Sequence, residues 1–159
     1  MIKIRFVTVG KLKEKYFKDA VYEYAKRLSR YCDLSFVELN PEFLPEQPSN
    51  AEIKAALERE AQAISKSLIK NGYNIVFCIE GKQKSSGAFA ETVKECENSG
   101  KPINFIIGSS YGLSDTVKSA ADLKLSFSQM TFPHKLFKVM ALEQLYRAFK
   151  INEGSAYHK

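Results

Sequence analysis

INFIIG, residues 103–108, and NIVFCIE, residues 74–80, are almost unbroken apolar runs. Side chains alternate between the two faces of a strand, so a strand stays apolar throughout only when both faces are covered. Two such runs predict central, parallel strands with a layer on each side. The chain between them supports this: a helical pattern around Phe89, Val93 and Cys96 breaks at Gly100 and Pro102, as a crossover between parallel strands would.

The same alternation extends in both directions. Toward the N-terminus, IKIRFVTV (2–9) alternates Ile2, Ile4 and Phe6 with Lys3 and Arg5 and stops at Gly10, a strand with one covered face. Phe17, Val21, Tyr24, Leu28 and Tyr31 follow at helical spacing, with Lys15, Lys18, Lys26 and Arg30 on the other side. DLSFVEL (33–39) is a second strand, and the three prolines of NPEFLPEQPSN (40–50) make a loop. Ser49 and Glu52 form a capping-box pattern that opens a helix through Ile53, Leu57, Ile64 and Leu68 to about Asn71-Gly72. Toward the C-terminus, a polar loop GKQKSSG (81–87), a short helix near 114–121 and a strand LKLSFS (123–128) lead to Pro133, which starts the last helix. The order is β-α five times over, an α/β fold with a mostly parallel sheet and helices on both faces.

The chain has 159 residues, 45% hydrophobic, the size of one domain, 1–159. Lys and Arg number 24 against 18 acidic residues, and the net charge of +6 leans toward phosphate-rich partners, though an aid to solubility explains it equally well. Cys32, Cys78 and Cys96 are odd in number and far apart, which leaves no disulfide framework and no metal knuckle; they read as core thiols of a reduced compartment. No apolar run is long enough for a membrane span or a signal peptide, so the expectation is a cytoplasmic protein with no membrane partner. Two histidines, no HExxH, no GxSxG and no Cys-His pair remove most metal and triad chemistry, and no metal is expected.

In such sheets ligands bind beyond the carboxyl ends of the central strands, which directs attention to the loops after residues 80, 108 and 128. IIGSSYGLS (106–114) sets Gly108 and Gly112 around two serines, so that the backbone can approach a ligand; a strand-to-helix turn of this kind is nevertheless more often structural. Lys82 and Lys84 in the loop after residue 80 read equally as a solvated turn. His134 reads as a partly buried, hydrogen-bonded residue of the last helix's first turn. Tyr157, His158 and Lys159 read as a frayed tail, or as a group for stacking a base and touching phosphate. Along the last helix Leu136, Phe137, Val139, Met140, Leu142, Leu145, Tyr146 and Phe149 spread round most of the circumference, leaving Glu143, Arg147 and Lys150 on a narrow strip. One apolar face can cover the sheet; the other calls for a partner, and a second copy of the chain is the commonest one.

SFSQMTFPHKLFKVMALEQLYRAFKINEGSAYHK (126–159), with VGKLKEKYF (9–17), EYAKRL (23–28) and IIGSSYGLS, resembles the bacterial ribosomal RNA methyltransferases of the SPOUT class that act on N3 of a pseudouridine. The resemblance spans essentially the whole chain. It implies an α/β fold with a C-terminal trefoil knot over roughly 74–159, a homodimer, S-adenosylmethionine as cofactor, and the ribosome's 23S ribosomal RNA, with no DNA, as partner. Position by position, it implies a cofactor pocket of Phe77, Gly108, Phe127, Ser128, Gln129, Met130, Thr131 and Phe132; the chemistry of that reaction in turn suggests Tyr157, His158, Arg147 and Glu143 as the catalytic group. His158 would take the acceptor's proton, Arg147 and Glu143 would orient the base or the tail, and the tail would order when RNA binds. The family commonly has a second glycine where this chain has Ser109, and arginine where it has Lys138. Phosphate contacts would come from Lys11, Lys13, Lys15, Lys18 and Arg30. A ribosome-binding dimer without catalysis, or a flavodoxin-like nucleotide enzyme, would share the charge and the glycine loop; the second leaves the terminal YHK unexplained.

Overall fold

The computed structural model describes residues 1–158. Strands and helices alternate as β1 (Ile2–Val9), α1 (Lys15–Leu28), β2 (Cys32–Leu39), α2 (Asn50–Ser67), β3 (Tyr73–Gln83), α3 (Ser86–Asn98), β4 (Ile103–Ile107), α4 (Asp115–Ser119), β5 (Leu123–Ser126) and α5 (His134–Asn152). The strands form one sheet in the order β2-β1-β4-β3-β5, and each neighbouring pair is parallel.

The apolar run of β4 is explained by its place in the middle: all five of its residues are buried. Alternation then sorts the core into two layers. Ile4, Phe6, Ile75, Phe105 and Ile107 face Leu28, Phe89, Val93, Leu142 and Leu145, so α1, α3 and α5 cover one side. Val7, Val9, Val76 and Ile106 face Ile64 and Leu113, on the side of α2 and α4. Phe105 stacks between Phe6 (4.7 Å between centroids) and Phe77 (5.8 Å), an aromatic row that ties three strands together.

Four boundaries differ from expectation. The capping box at Ser49 and Glu52 is present, but α2 ends at Ser67 and not near 71–72. Arg5 donates to the Ser67 carbonyl (2.9 Å), and the buried Asn104 amide accepts from Ile69 N (2.9 Å) and donates to its carbonyl (3.0 Å), so the chain is pulled out of the helix into an extended segment. Tyr31 lies beyond α1. The polar loop after residue 80 is partly strand. Phe77 and Lys82 both pair with Leu125, so Cys78–Gly81 bulges out of the sheet before β3 resumes at Lys82 and Gln83. Gly81 permits the bulge, since a Cβ there would lie 2.8 Å from the Leu125 carbonyl carbon. β5 in turn stops at Ser126, two residues early, which frees 127–132 as a loop. Among the described residues no helix is long and apolar enough to cross a membrane.

Candidate functional site

The carboxyl ends of β3, β4 and β5 open into a cavity of about 740 Å³. Its walls are the bulge of β3, the turn after β4, the run after β5 and the first turn of α5. Each wall has a local cause. Gly108 packs so closely that a Cβ would stand 2.4 Å from the Gly112 carbonyl oxygen, and Gly112 holds φ at +86° while its N–H donates to the Ser109 carbonyl (2.8 Å). In the run after β5, the Ser126 hydroxyl donates to the Ser128 carbonyl (3.0 Å), and Ser128 Oγ accepts from Met130 N (3.0 Å). These bonds coil 127–132 back over the strand ends. Phe127 seals the base, edge-on to Phe77 (5.5 Å) and against Phe137 (4.8 Å).

Of the residues expected to hold a cofactor, Phe77, Gly108, Phe127, Ser128, Met130, Thr131 and Phe132 line this cavity. Gln129 is exposed and is not part of its wall. Ser109 keeps an ordinary φ, so the missing second glycine costs no backbone strain there. Its hydroxyl lies 3.4 Å from Glu60, a buried carboxylate that accepts from Glu42 N (2.9 Å) and whose pKa burial raises. Sequence reasoning missed Glu60 because its helix position, next to Ala61, reads as an ordinary surface glutamate. Cys78 departs from the core reading: it is half-buried and lines the cavity, carried there by the bulge. Burial, followed by the nearby Glu80, raises its pKa, which keeps it a neutral thiol. His134 borders the cavity, packs over Gly10, and has its pKa lowered by burial and then by Lys135. Lys118 and Glu80 also line it.

The four expected catalytic residues come together elsewhere, on the outer side of α5. Arg147 donates to Glu143 from Nη2 (2.7 Å) and Nε (3.1 Å). Tyr157 donates to the other Glu143 oxygen (3.0 Å), and its ring lies under the Arg147 guanidinium (4.8 Å). His158 Nδ1 approaches Arg147 Nη1 (3.4 Å). Tyr157 is therefore not a frayed end in this structure: its ring also meets Tyr146 edge-on (5.1 Å). Burial, and then the hydrogen bond to Glu143, raises the Tyr157 pKa; Tyr24, beside the group, is pushed up to about 12 by burial and the same carboxylate. Both phenols stay protonated at neutral pH. Lys159 lies outside the described residues.

Glu143 and Tyr24 line a second cavity of about 470 Å³ with Lys84 and Gln144, separated from the first by Leu125 and Phe127, which belong to both. Glu143 lies nine positions along α5 from His134 at the first cavity, roughly 13 Å of helix. Lys138 is not on a binding surface. It is buried, 3.7 Å from Glu38 and over the Phe36 ring, and burial lowers its pKa. Lys11, Lys13, Lys15, Lys18 and Arg30 are all exposed, with Lys15 paired to Asp19 (2.7 Å). Among the described residues no group of three or more metal-ligating side chains exists.

Comparison with known proteins bears on this geometry. A family profile described as "Predicted SPOUT methyltransferase" matches residues 2–158. The chain is 50% identical over 157 residues to the ribosomal RNA large subunit methyltransferase H of Clostridium acetobutylicum, covering 98% of this chain and 99% of that protein. It is 47% identical over the same length to the protein of that name from Levilactobacillus brevis, with the same coverage. The solved structure of the SpoU methyltransferase AviRb from Streptomyces viridochromogenes, in complex with AdoMet, aligns with 97% of this chain and 58% of its own, at 12% identity and a TM-score of 0.46.

Proposed function

The chain belongs to the SPOUT methyltransferase family, and from that membership we propose that it transfers a methyl group from S-adenosylmethionine to N3 of a pseudouridine in large-subunit ribosomal RNA, acting as a homodimer on assembled ribosomes. The name shared by its relatives supports the ribosomal substrate. The observation that carries the reading is the cavity at the strand ends: a volume of about 740 Å³ suits a nucleoside-sized ligand, with largely apolar walls and a coiled backbone run along one side. Residues 127–132 offer main-chain groups to an adenine edge while Phe77 and Phe137 exclude water, and Gly108 lets the turn after β4 close tightly on itself to form the facing wall. The knotted arrangement expected of 74–159 belongs to the same proposal.

S-adenosylmethionine supplies a methyl group that is already activated, so the chain's task is to hold the acceptor in line and to manage one proton. Neutral, hydrogen-bonded Tyr157 orients the acceptor, Arg147 favours the anionic form of the imide as its proton leaves, and His158, next to Arg147, accepts that proton. Glu143 holds Arg147 and Tyr157 in place. Glu143, which anchors these groups, sits across Phe127 from the cavity, and Leu136, Val139 and Met140 leave an incompletely covered apolar strip on α5. Both facts support a dimer in which one protomer's tail serves the other's cavity. Phosphates would be met by Lys11, Lys13, Lys15, Lys18 and Arg30, with steep salt dependence.

The test is transfer of labelled methyl from S-adenosylmethionine to ribosomes lacking the modification, with the labelled nucleotide mapped by mass spectrometry. Label on N3 of a large-subunit pseudouridine, and far less on an isolated stem-loop, is the expected result. No label, with a dimer that still binds ribosomes, would leave a non-catalytic binding protein.

A further inference from the structure

Glu80 and Lys118 are the one carboxylate and the one ammonium among the described residues that line the main cavity, and they are paired with each other at 2.6 Å. Glu80 rides on the bulge of β3 and is 57% exposed through its side chain; Lys118, on α4, is 24% exposed. As a structural device the pair has little to offer, since ion pairs this close to water contribute about 0–1 kcal/mol. It also costs little to exchange.

The rest of the wall is apolar side chain, hydroxyl and backbone, with the Cys78 thiol and the His134 imidazole, whose pKa burial lowers. S-adenosylmethionine carries an amino-acid end with a free carboxylate, and an unpaired carboxylate against such a wall is strongly unfavourable. Lys118 is the fixed cation within the cavity, with its ammonium held at the rim by a partner that can swing into water. We propose that Lys118 is the counter-ion of the cofactor's α-carboxylate, and that its bridge to Glu80 is a resting contact which that carboxylate displaces. The proposal rests on the reading of this cavity as the cofactor site.

Calorimetry on the full chain tests it with two ligands that share a nucleoside. S-adenosylhomocysteine has the amino-acid end; methylthioadenosine lacks it. Lys118→Met is expected to weaken S-adenosylhomocysteine about tenfold and leave methylthioadenosine unchanged, with Lys118→Arg restoring most of the loss. Glu80→Gln removes the competing partner and is expected to tighten S-adenosylhomocysteine about two- to threefold. An equal loss for both ligands in Lys118→Met, or none for either, overturns the assignment; weaker binding in Glu80→Gln overturns the displaced bridge. If the unaltered chain binds neither ligand, the cofactor reading of the cavity itself fails.

Discussion

Tyr157 donates its hydroxyl to Glu143 at 3.0 Å, fourteen residues back along the chain, and so lays the C-terminal segment along α5. Glu143 thereby receives donors from both Arg147 and Tyr157, with the guanidinium over the phenol ring. Glutamate at 143 and arginine at 147 are one helical turn apart and face each other by spacing alone. The third member arrives only because α5 ends at Asn152 and the chain turns back through Gly154, at φ +76°.

Tyr157→Phe removes that hydrogen bond and keeps the ring under Arg147. It is expected to lower kcat for methyl transfer about tenfold, as loss of a charge-assisted bond near the surface would, while cofactor affinity and dimer mass stay as they were. Removing Tyr157 to Lys159 is expected to lower it at least about a hundredfold. Steady-state kinetics on unmodified ribosomes decides it; unchanged rates in both variants remove the tail from the catalytic group.

Gly108 and Gly87 make a matched pair of glycines. Alanine at 108 would drive its Cβ to 2.4 Å from the Gly112 carbonyl oxygen, backbone that cannot swing aside, so Gly108→Ala is expected to cost about 2 kcal/mol or more and to abolish cofactor binding. At Gly87, early in α3, the nearest atom is 3.9 Å away, and Gly87→Ala is expected to be neutral or stabilising by about 0.5 kcal/mol. Denaturant unfolding and calorimetry on both variants separate a local clash from a general sensitivity to alanine.

Most of this architecture is legible in the sequence, for physical reasons. A central strand between two helical layers must be largely apolar on both faces, and 103–107 carries that requirement in four of its five letters, the exception being Asn104, whose buried amide is hydrogen-bonded. The capping box at Ser49 and the turn at Gly108 and Gly112 are local chemistry and read directly. What is not legible depends on partners distant in the chain. Nothing near Ser67 says that Arg5 and Asn104 will pull the backbone out of the helix, and nothing near Cys78 says that β3 will bulge against Leu125. The place of Lys138 is hidden in the same way, because its partner, Glu38, is on β2.

Lys138 illustrates how a buried charge is judged. Its 3.7 Å separation from Glu38 is longer than a hydrogen bond, and burial lowers its pKa, so the pair offsets its own desolvation poorly. Glu38 keeps its bond from Leu12 N (2.9 Å) without the lysine. Lys138→Met is therefore expected to raise stability by about 1 kcal/mol and leave the rate on ribosomes unchanged. A fall in rate, with salt dependence reduced, would place Lys138 against RNA.

His134 sets a pH dependence of known sign. Burial, then the Lys135 ammonium, hold its pKa below 6.5, against an opposing pull from Glu14. Between 6.5 and that lower value the unfolded chain binds more protons than the folded one, so stability falls as pH drops through the window. Buried Glu60 works oppositely: its pKa is raised, and the stability it contributes is lost as pH rises from 4.5. Replacing the imidazole isolates its part: His134→Gln is expected to show a smaller loss of thermal midpoint than the unaltered chain between pH 6.5 and 5. Identical profiles would show that His134 titrates normally.

The separation of Glu143 from the cavity by Phe127 allows the proposed dimer to be tested without a structure of it. A Gly108→Ala chain has an intact tail and a damaged cavity; a Tyr157→Phe chain has the reverse. In a mixed dimer, sites completed by the partner's tail include one with both parts intact and one with neither. Sites completed within one chain would each carry one lesion. Refolding an equal mixture gives half mixed dimers, so about a quarter of all sites should work if tails are exchanged, above the residual rate of either variant alone. The comparison needs only the mixture's rate beside the average of the two parents. A rate equal to that average means that each tail serves its own protomer's cavity, and that α5 or Phe127 must move to bring Glu143 and the cofactor together.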